Sequence, residues 1–234
     1  MTGVAIKTVS VLTFCVLCFT LAGCKATPKA VLKDKSSTNS SSFSVSSSSV
    51  SSSSTADSQI AASSVQTPAQ QQAAALYPKF EIPYLNGDYD QAIQVCDQAL
   101  ALDPNDYDAY NIKGIALCFK KDYTNGMSLI EKSLSIKPDY FYGMFNKAMG
   151  YKLQHDYDNA LIWFNKGLEL KPDDAWSYYG IATIYADRSQ TSSALEYLQI
   201  AINFNSSVKA TAIEQSFHWE NFHNNAQWKA MVGA

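Results

Sequence analysis

Pro104, Pro138 and Pro172 stand 34 residues apart, and that interval recurs throughout the second half of the chain. Tyr89, Tyr123 and Tyr157 keep the same step, each preceded by an aspartate: Asp88, Asp122 and Asp156. Small residues repeat at Ala92, Gly126, Ala160 and Ala194, and again at Ala99, Ser133, Gly167 and Ala201. Large apolar residues follow at Leu102, Ile136, Leu170 and Phe204. One fixed period means stacked copies of a single supersecondary unit, each burying its neighbour's apolar face, rather than one central core.

Each copy reads as two helices. From Asp106 to about Phe119, Tyr110, Gly114 and Leu117 fall at helical spacing. Asp122 then offers a side-chain oxygen to the free N–H groups of a second helix reaching about Ser135, which Pro138 closes. The pattern predicts further helices over about Tyr140–Gln154, Asp156–Glu169, Asp174–Asp187 and Gln190–Asn203. Thr191 and Ser206 replace the tyrosine and the proline in the last copy. Facing small residues such as Gly114 or Ala148 against the Gly126 or Ala160 positions would let the two helices approach closely. Pro78 and Pro83 precede the first Asp-Tyr pair, so the partner helix there is expected to be broken and the first copy to be a half-unit.

The Gly-Asp-Tyr-x-x-Ala of Gly87–Ala92, the Lys-Asp-Tyr of 121–123, the His-Asp-Tyr of 155–157 and the three prolines together resemble the tetratricopeptide repeat family. The resemblance covers about Tyr84 to Ser206. It implies an all-α, right-handed solenoid of about 3.5–4 helix pairs, with repeats at about 73–106, 107–140, 141–174 and 175–206. It also implies a concave groove, lined by the first helix of each pair, that takes up a protein or peptide ligand. On the aligned copies that groove would present Asn111, Ile115, Cys118 and Phe119, then Tyr142, Phe145, Met149 and Lys152, then Trp176, Tyr179 and Thr183, with Tyr140 at its edge. Aromatics of this kind are common anchors of binding. The cationic grip that some members apply to a terminal carboxylate does not carry over, because Asn111, Ile115, Asn146, Trp176 and Gly180 hold the corresponding places.

A stacked array needs a terminal cap with a polar outer face. A helix from about Val208 to Phe217, followed by Trp219, Phe222, Trp228 and Met231, resembles the closing helices of such bacterial proteins. These four side chains are expected to form the cap core, with a docking peptide as the alternative.

The beginning of the chain has a different character. One basic residue, Lys7, precedes an apolar run over Val9–Ala22 that is too short to span a bilayer but suits a signal peptide. It ends in Leu21-Ala22-Gly23-Cys24, which resembles the bacterial lipobox. That resemblance implies a signal peptide over 1–23, cleavage between Gly23 and Cys24, and acylation of Cys24. The chain is thereby expected to be an exported lipoprotein held at a bacterial membrane, facing away from the cytoplasm. Between Ser36 and Ser58, 15 of 23 residues are serine and Asp57 is the single charge. Such a stretch lacks the apolar surface to offset ordering, so residues 24–68 read as a disordered tether. Residues 25–68 would span about 35–40 Å root mean square as a flexible chain.

Little suggests chemistry. The net charge of −3 offers no basic stripe for nucleic acid. Cys15 and Cys18 share a CxxC spacing, but inside the apolar run of the signal segment. His218 and His223 are five apart, which does not place both on one helical face as metal ligands. His155 stands where a turn residue belongs, and Asp173-Asp174 reads as a helix start. Cys96 and Cys118 are expected on a core side and on the concave side, unpaired. No phosphate loop, nucleophile elbow or carboxylate dyad is present. No catalytic residue, cofactor, metal or small-molecule substrate is therefore assigned. The favoured reading is a membrane-anchored interaction scaffold. An assembly factor of pilotin type for an envelope machine, or an accessory protein that binds the cell wall, remain as alternatives.

Overall fold

The 34-residue period becomes a row of helix pairs. The computed structural model describes residues 66–233; the signal segment, Cys24 and the serine tract lie outside them. The described residues are helical throughout, without a strand. They run α1 (Pro68–Ala74), α2 (Tyr77–Leu85), α3 (Tyr89–Leu102), α4 (Tyr107–Phe119), α5 (Tyr123–Ile136), α6 (Phe141–Leu153), α7 (Tyr157–Leu170), α8 (Ala175–Asp187) and α9 (Thr191–Phe204). Closing the chain are α10 (Val208–Glu214), two 3₁₀ turns at Ser216–His218 and Glu220–Phe222, and α11 (Ala226–Val232). Helices pack with their sequence neighbours, and α4 also meets α2 and α6, so the first helices of successive pairs form one side of the stack.

The local cause of each pair is a repeated turn. Gly87, Lys121, His155 and Ser189, again 34 apart, all have left-handed backbones, with φ of 78°, 67°, 60° and 58°. Each ends the first helix of its pair in the same two backbone hydrogen bonds. In the second copy the Lys121 N–H donates to the Cys118 carbonyl at 2.9 Å, and the Asp122 N–H reaches back to Leu117 at 2.9 Å. This is the Schellman closure, which satisfies carbonyls that a helix end leaves open. Asp88, Asp122 and Asp156 then cap the next helix through the N–H groups of Gln91, Asn125 and Asn159. Glycine occupies only the first of the four turns.

Small residues set the spacing inside a pair. Ala92, Ala160, Ala194, Ala99 and Ala201 have no exposed surface, and Gly126, Ser133 and Gly167 are buried beside them. A Cβ on Gly114 would stand 2.7 Å from the Gly126 carbonyl oxygen, so α4 and α5 touch backbone to backbone there. Ser133 hides its hydroxyl by donating to the Tyr107 carbonyl at 2.8 Å.

Two expectations need correction. The prolines do not abolish the first helix of the first pair. Pro78 lies in the first turn of α2, where no N–H is needed, and Pro83 sits within it two residues before its end. The cost is a short helix, preceded by α1 at a break over Ala75–Leu76, and α2 still buries Phe80 completely. The closing helix stops at Glu214, not Phe217. The chain then tightens into the 3₁₀ turns that bring Trp219 and Phe222 inward, at 0% and 1% exposure. With Trp228 and the partly buried Met231 they cover α8 and α9, which makes them cap core rather than a docking peptide.

Candidate partner-binding face

The first helices α2, α4, α6 and α8 carry the residues expected to line a groove, and packing divides these residues sharply. Cys118 is 1% exposed and its sulfur fills the crevice between Gly126 and Gly150, so it belongs to the α4–α5–α6 core rather than to a groove. Burial pushes its thiol up to about 11. Ile115 is fully buried in the same cluster. Phe119 lies flat on Tyr89, with ring centres 5.2 Å apart and 5° between planes, and meets Tyr84 as well; it seals the joint with the first pair. Thr183 is fully buried and donates to the Gly180 carbonyl of its own helix at 2.8 Å.

At the α8 end the chain covers its own concave side. Tyr179 is 5% exposed, donates to Gln215 Oε1 at 3.1 Å and accepts from Trp219 Nε1 at 3.4 Å. Trp176 packs edge-on against Tyr179 within the cap cluster. Asp187, at the end of α8, accepts from Tyr157 at 3.2 Å and lies 2.6 Å from His218 Nδ1. Burial pushes the His218 imidazole below its ordinary value, against the pull of Asp187. The last pair is therefore occupied by the C-terminal segment.

What stays accessible lies further back. Tyr142 is 37% exposed, and Phe145, Met149 and Lys152 are half-buried along α6. Phe145 leans edge-on against Phe164 at 5.6 Å, so part of its ring is structural. Asn111 is the anomaly. It has no exposed surface, yet neither its amide nitrogen nor its oxygen has a hydrogen-bond partner. Buried side-chain amides are nearly always paired, because an unpaired one forfeits its bonds to water without replacement.

Near the expected Tyr140 and Tyr142 stand Tyr77, Glu81 and Asp108, which the sequence reading did not select. Asp108, Asn111 and Ile115 fall at i, i+3 and i+7, one stripe of α4. Asp108 accepts from the Tyr140 hydroxyl at 2.5 Å, and Glu81 on α2 accepts from Tyr77 at 3.2 Å. Tyr140 meets Tyr107 and Tyr142 edge-on, at 4.9 and 5.9 Å. Burial first, and Asp108 among the other causes, raises Glu81; burial likewise raises Asp108 against the opposing Tyr140 bond and Lys137. Tyr77 feels Tyr142, and Tyr142 feels Glu81, across the helix between them. A signal for these residues did exist. Stepping back 34 from Asn111, Ile115 and Tyr142 reaches Tyr77, Glu81 and Asp108. The two prolines of α2 mask that register, because they read as helix breakers.

Among the described residues no group of three or more His, Cys, Asp or Glu side chains could hold a metal. Cys96 and Cys118 are separate buried thiols. An open cleft of about 640 Å³ between α9 and α11, edged by Leu195, Gln199, Asn225 and Met231, contains no constellation of reactive groups.

A family model described as a tetratricopeptide repeat matches residues 84–106 and 142–174. Among solved structures the chain is similar to pilF of Pseudomonas aeruginosa, at 14% identity over 70% of this chain and 75% of that one, with a TM-score of 0.59. It is also similar to a double mutant of MamA RS-1, at 18% identity over 72% of this chain and 95% of that one, with a TM-score of 0.54. The O-GlcNAc transferase of Thermobaculum terrenum aligns at 16% identity over 57% of this chain but 27% of its own length, with a TM-score of 0.51. At these identities the likeness is one of fold. No curated protein matches the chain in sequence.

Proposed function

We propose that this tetratricopeptide-repeat solenoid is a non-enzymatic scaffold that holds a protein partner on the concave side of α2, α4 and α6. The observation that carries the reading is Asn111 on α4, the middle of these three helices, a wholly buried amide with both polar ends unmet. A side chain of this kind serves a fold poorly. Once the side chains that cover it move aside, it would meet the backbone N–H and C=O of an extended segment laid along the groove. The half-exposed aromatics beside it supply the apolar contact that usually anchors such a segment.

The N-terminal sequence supports a second part of the proposal. Export through the apolar segment and acylation at Cys24 would hold the array outside the cytoplasm, on a serine tether long enough to let it reach away from the membrane. Placement of a larger envelope assembly is then one use of the same anchor. Replacing Cys24 by Ala is expected to release the chain from the membrane fraction. Unchanged membrane association would remove the anchor from the proposal.

The test of the scaffold is a cross-linked pull-down from native cells with wild type and an Asn111→Leu/Tyr142→Ala variant, after circular dichroism has shown equal helix content. A protein recovered with wild type and lost with the variant is the expected result. Identical recovery from both would place binding elsewhere on the molecule.

A further inference from the structure

The electrostatics of the same face say what kind of partner it fits. We propose that Glu81 and Asp108 form the seat for a lysine or arginine side chain of the bound segment, with the rings of Tyr77, Tyr140 and Tyr142 as its walls and the Asn111 amide beside it. The proposal rests on the concave face being the docking surface, and it adds the chemistry of the occupant.

Five carboxylates elsewhere are matched to lysine or arginine. Asp97, Asp90, Glu131, Asp174 and Asp158 pair with Lys113, Lys120, Lys147, Lys171 and Arg188. Glu81 and Asp108 are more buried than most of these partners, yet among the described residues no lysine or arginine nitrogen lies within 4.0 Å of either. A half-buried carboxylate ordinarily recruits a cation, since leaving water is costly for an unpaired charge. Here each receives a single tyrosine hydroxyl instead.

The other charges near the face do not fill the role. Lys137 is the nearest cation to act on Asp108, but it is held by the Tyr107 hydroxyl at 3.3 Å and over the Tyr107 and Tyr140 rings at 4.7 and 5.6 Å. Asp174 also acts on Tyr142 and adds to the negative field, while its own oxygens are taken by Ser177 and Lys171. Tyrosine faces attract ammonium and guanidinium groups, most strongly where water is thinned out. Two carboxylates, three aromatic rings and one unmatched amide are complementary to a single organic cation on an extended chain. An acidic segment would meet two like charges, a mismatch that costs affinity.

The test uses the full chain, immobilised, and degenerate octapeptide pools whose central residue is fixed as lysine, arginine, norleucine or glutamate. The lysine and arginine pools are expected to be retained about tenfold better than norleucine, with the advantage shrinking as salt is raised. A Glu81→Gln/Asp108→Asn variant should erase that advantage. A Glu169→Gln/Glu196→Gln variant, which removes two acidic charges elsewhere, should keep it. If norleucine or glutamate is retained as well as lysine, and Asn111→Leu/Tyr142→Ala abolishes it, the face is a docking surface but the cation seat is wrong. If no pool is retained in a way that depends on Asn111 and Tyr142, both readings fall.

Discussion

Asn111, Glu81 and Asp108 show how a residue can work against the fold that carries it. Burial raises both carboxyls above their reference values of 4.5 and 3.8, so the folded chain holds their protons more tightly than the unfolded chain does. Between those values and the raised ones the native state binds more protons, and stability falls as pH rises. Burial sets the direction for both; the Tyr77 bond opposes it at Glu81, and the Tyr140 bond and Lys137 oppose it at Asp108. Gln and Asn at the two positions would still accept the tyrosine bonds without the charge. The Glu81→Gln/Asp108→Asn protein should therefore melt about 2–4 °C above wild type at neutral pH, a gain of about 1 kcal/mol. The two should converge only below about pH 3, under both reference values, where the carboxyls are largely protonated in either state. A melting series across that range decides it: a variant less stable than wild type at neutral pH would mean that the carboxylates serve the fold.

At the level of elements, the four left-handed turns and the close helix crossings make opposite demands on glycine. Lys121, His155 and Ser189 hold a conformation that disfavours a Cβ, whereas Gly87 does so without strain. Replacing Lys121 by Gly should stabilise the array by about 0.5–1 kcal/mol; His155→Gly should give less, because the imidazole touches the Tyr157 hydroxyl at 3.0 Å. Gly114→Ala should do the reverse. Alanine favours a helix by about 1 kcal/mol over glycine, but its Cβ would press on the Gly126 carbonyl and on Ile130, 2.7 Å from each. Backbone cannot yield as a flexible side chain can, so the crowding, about 1–3 kcal/mol, wins. Urea midpoints of the three variants test the signs independently.

At the scale of the whole molecule, neighbour-to-neighbour stacking makes the C-terminal segment decisive for the last pair. Trp219, fully buried against Tyr179 and Phe222, is its keystone. Trp219→Ala should cost about 3–5 kcal/mol and, since each copy touches only its neighbours, should release α8–α11 first. Hydrogen exchange would show protection lost there while α4 and α5 stay protected; uniform loss would mean that the stack unfolds as one unit. The sequence by itself determined the period, the helix pairs from α4 onward, the aspartate caps and the small-residue seams, because each follows from local spacing within one copy. It also pointed to the aromatic cap. Only the tertiary structure decided that α2 survives its two prolines, that Cys118, Ile115 and Thr183 are interior, and that the α8 end of the concave side is covered by Tyr179's contacts with Gln215 and Trp219. Which side chain reaches solvent, and which carboxylate lacks a cation, depends mostly on residues of other helices, 16 to 40 positions away in the contacts described; the repeat pattern aligns such residues but does not say what lies on top of them.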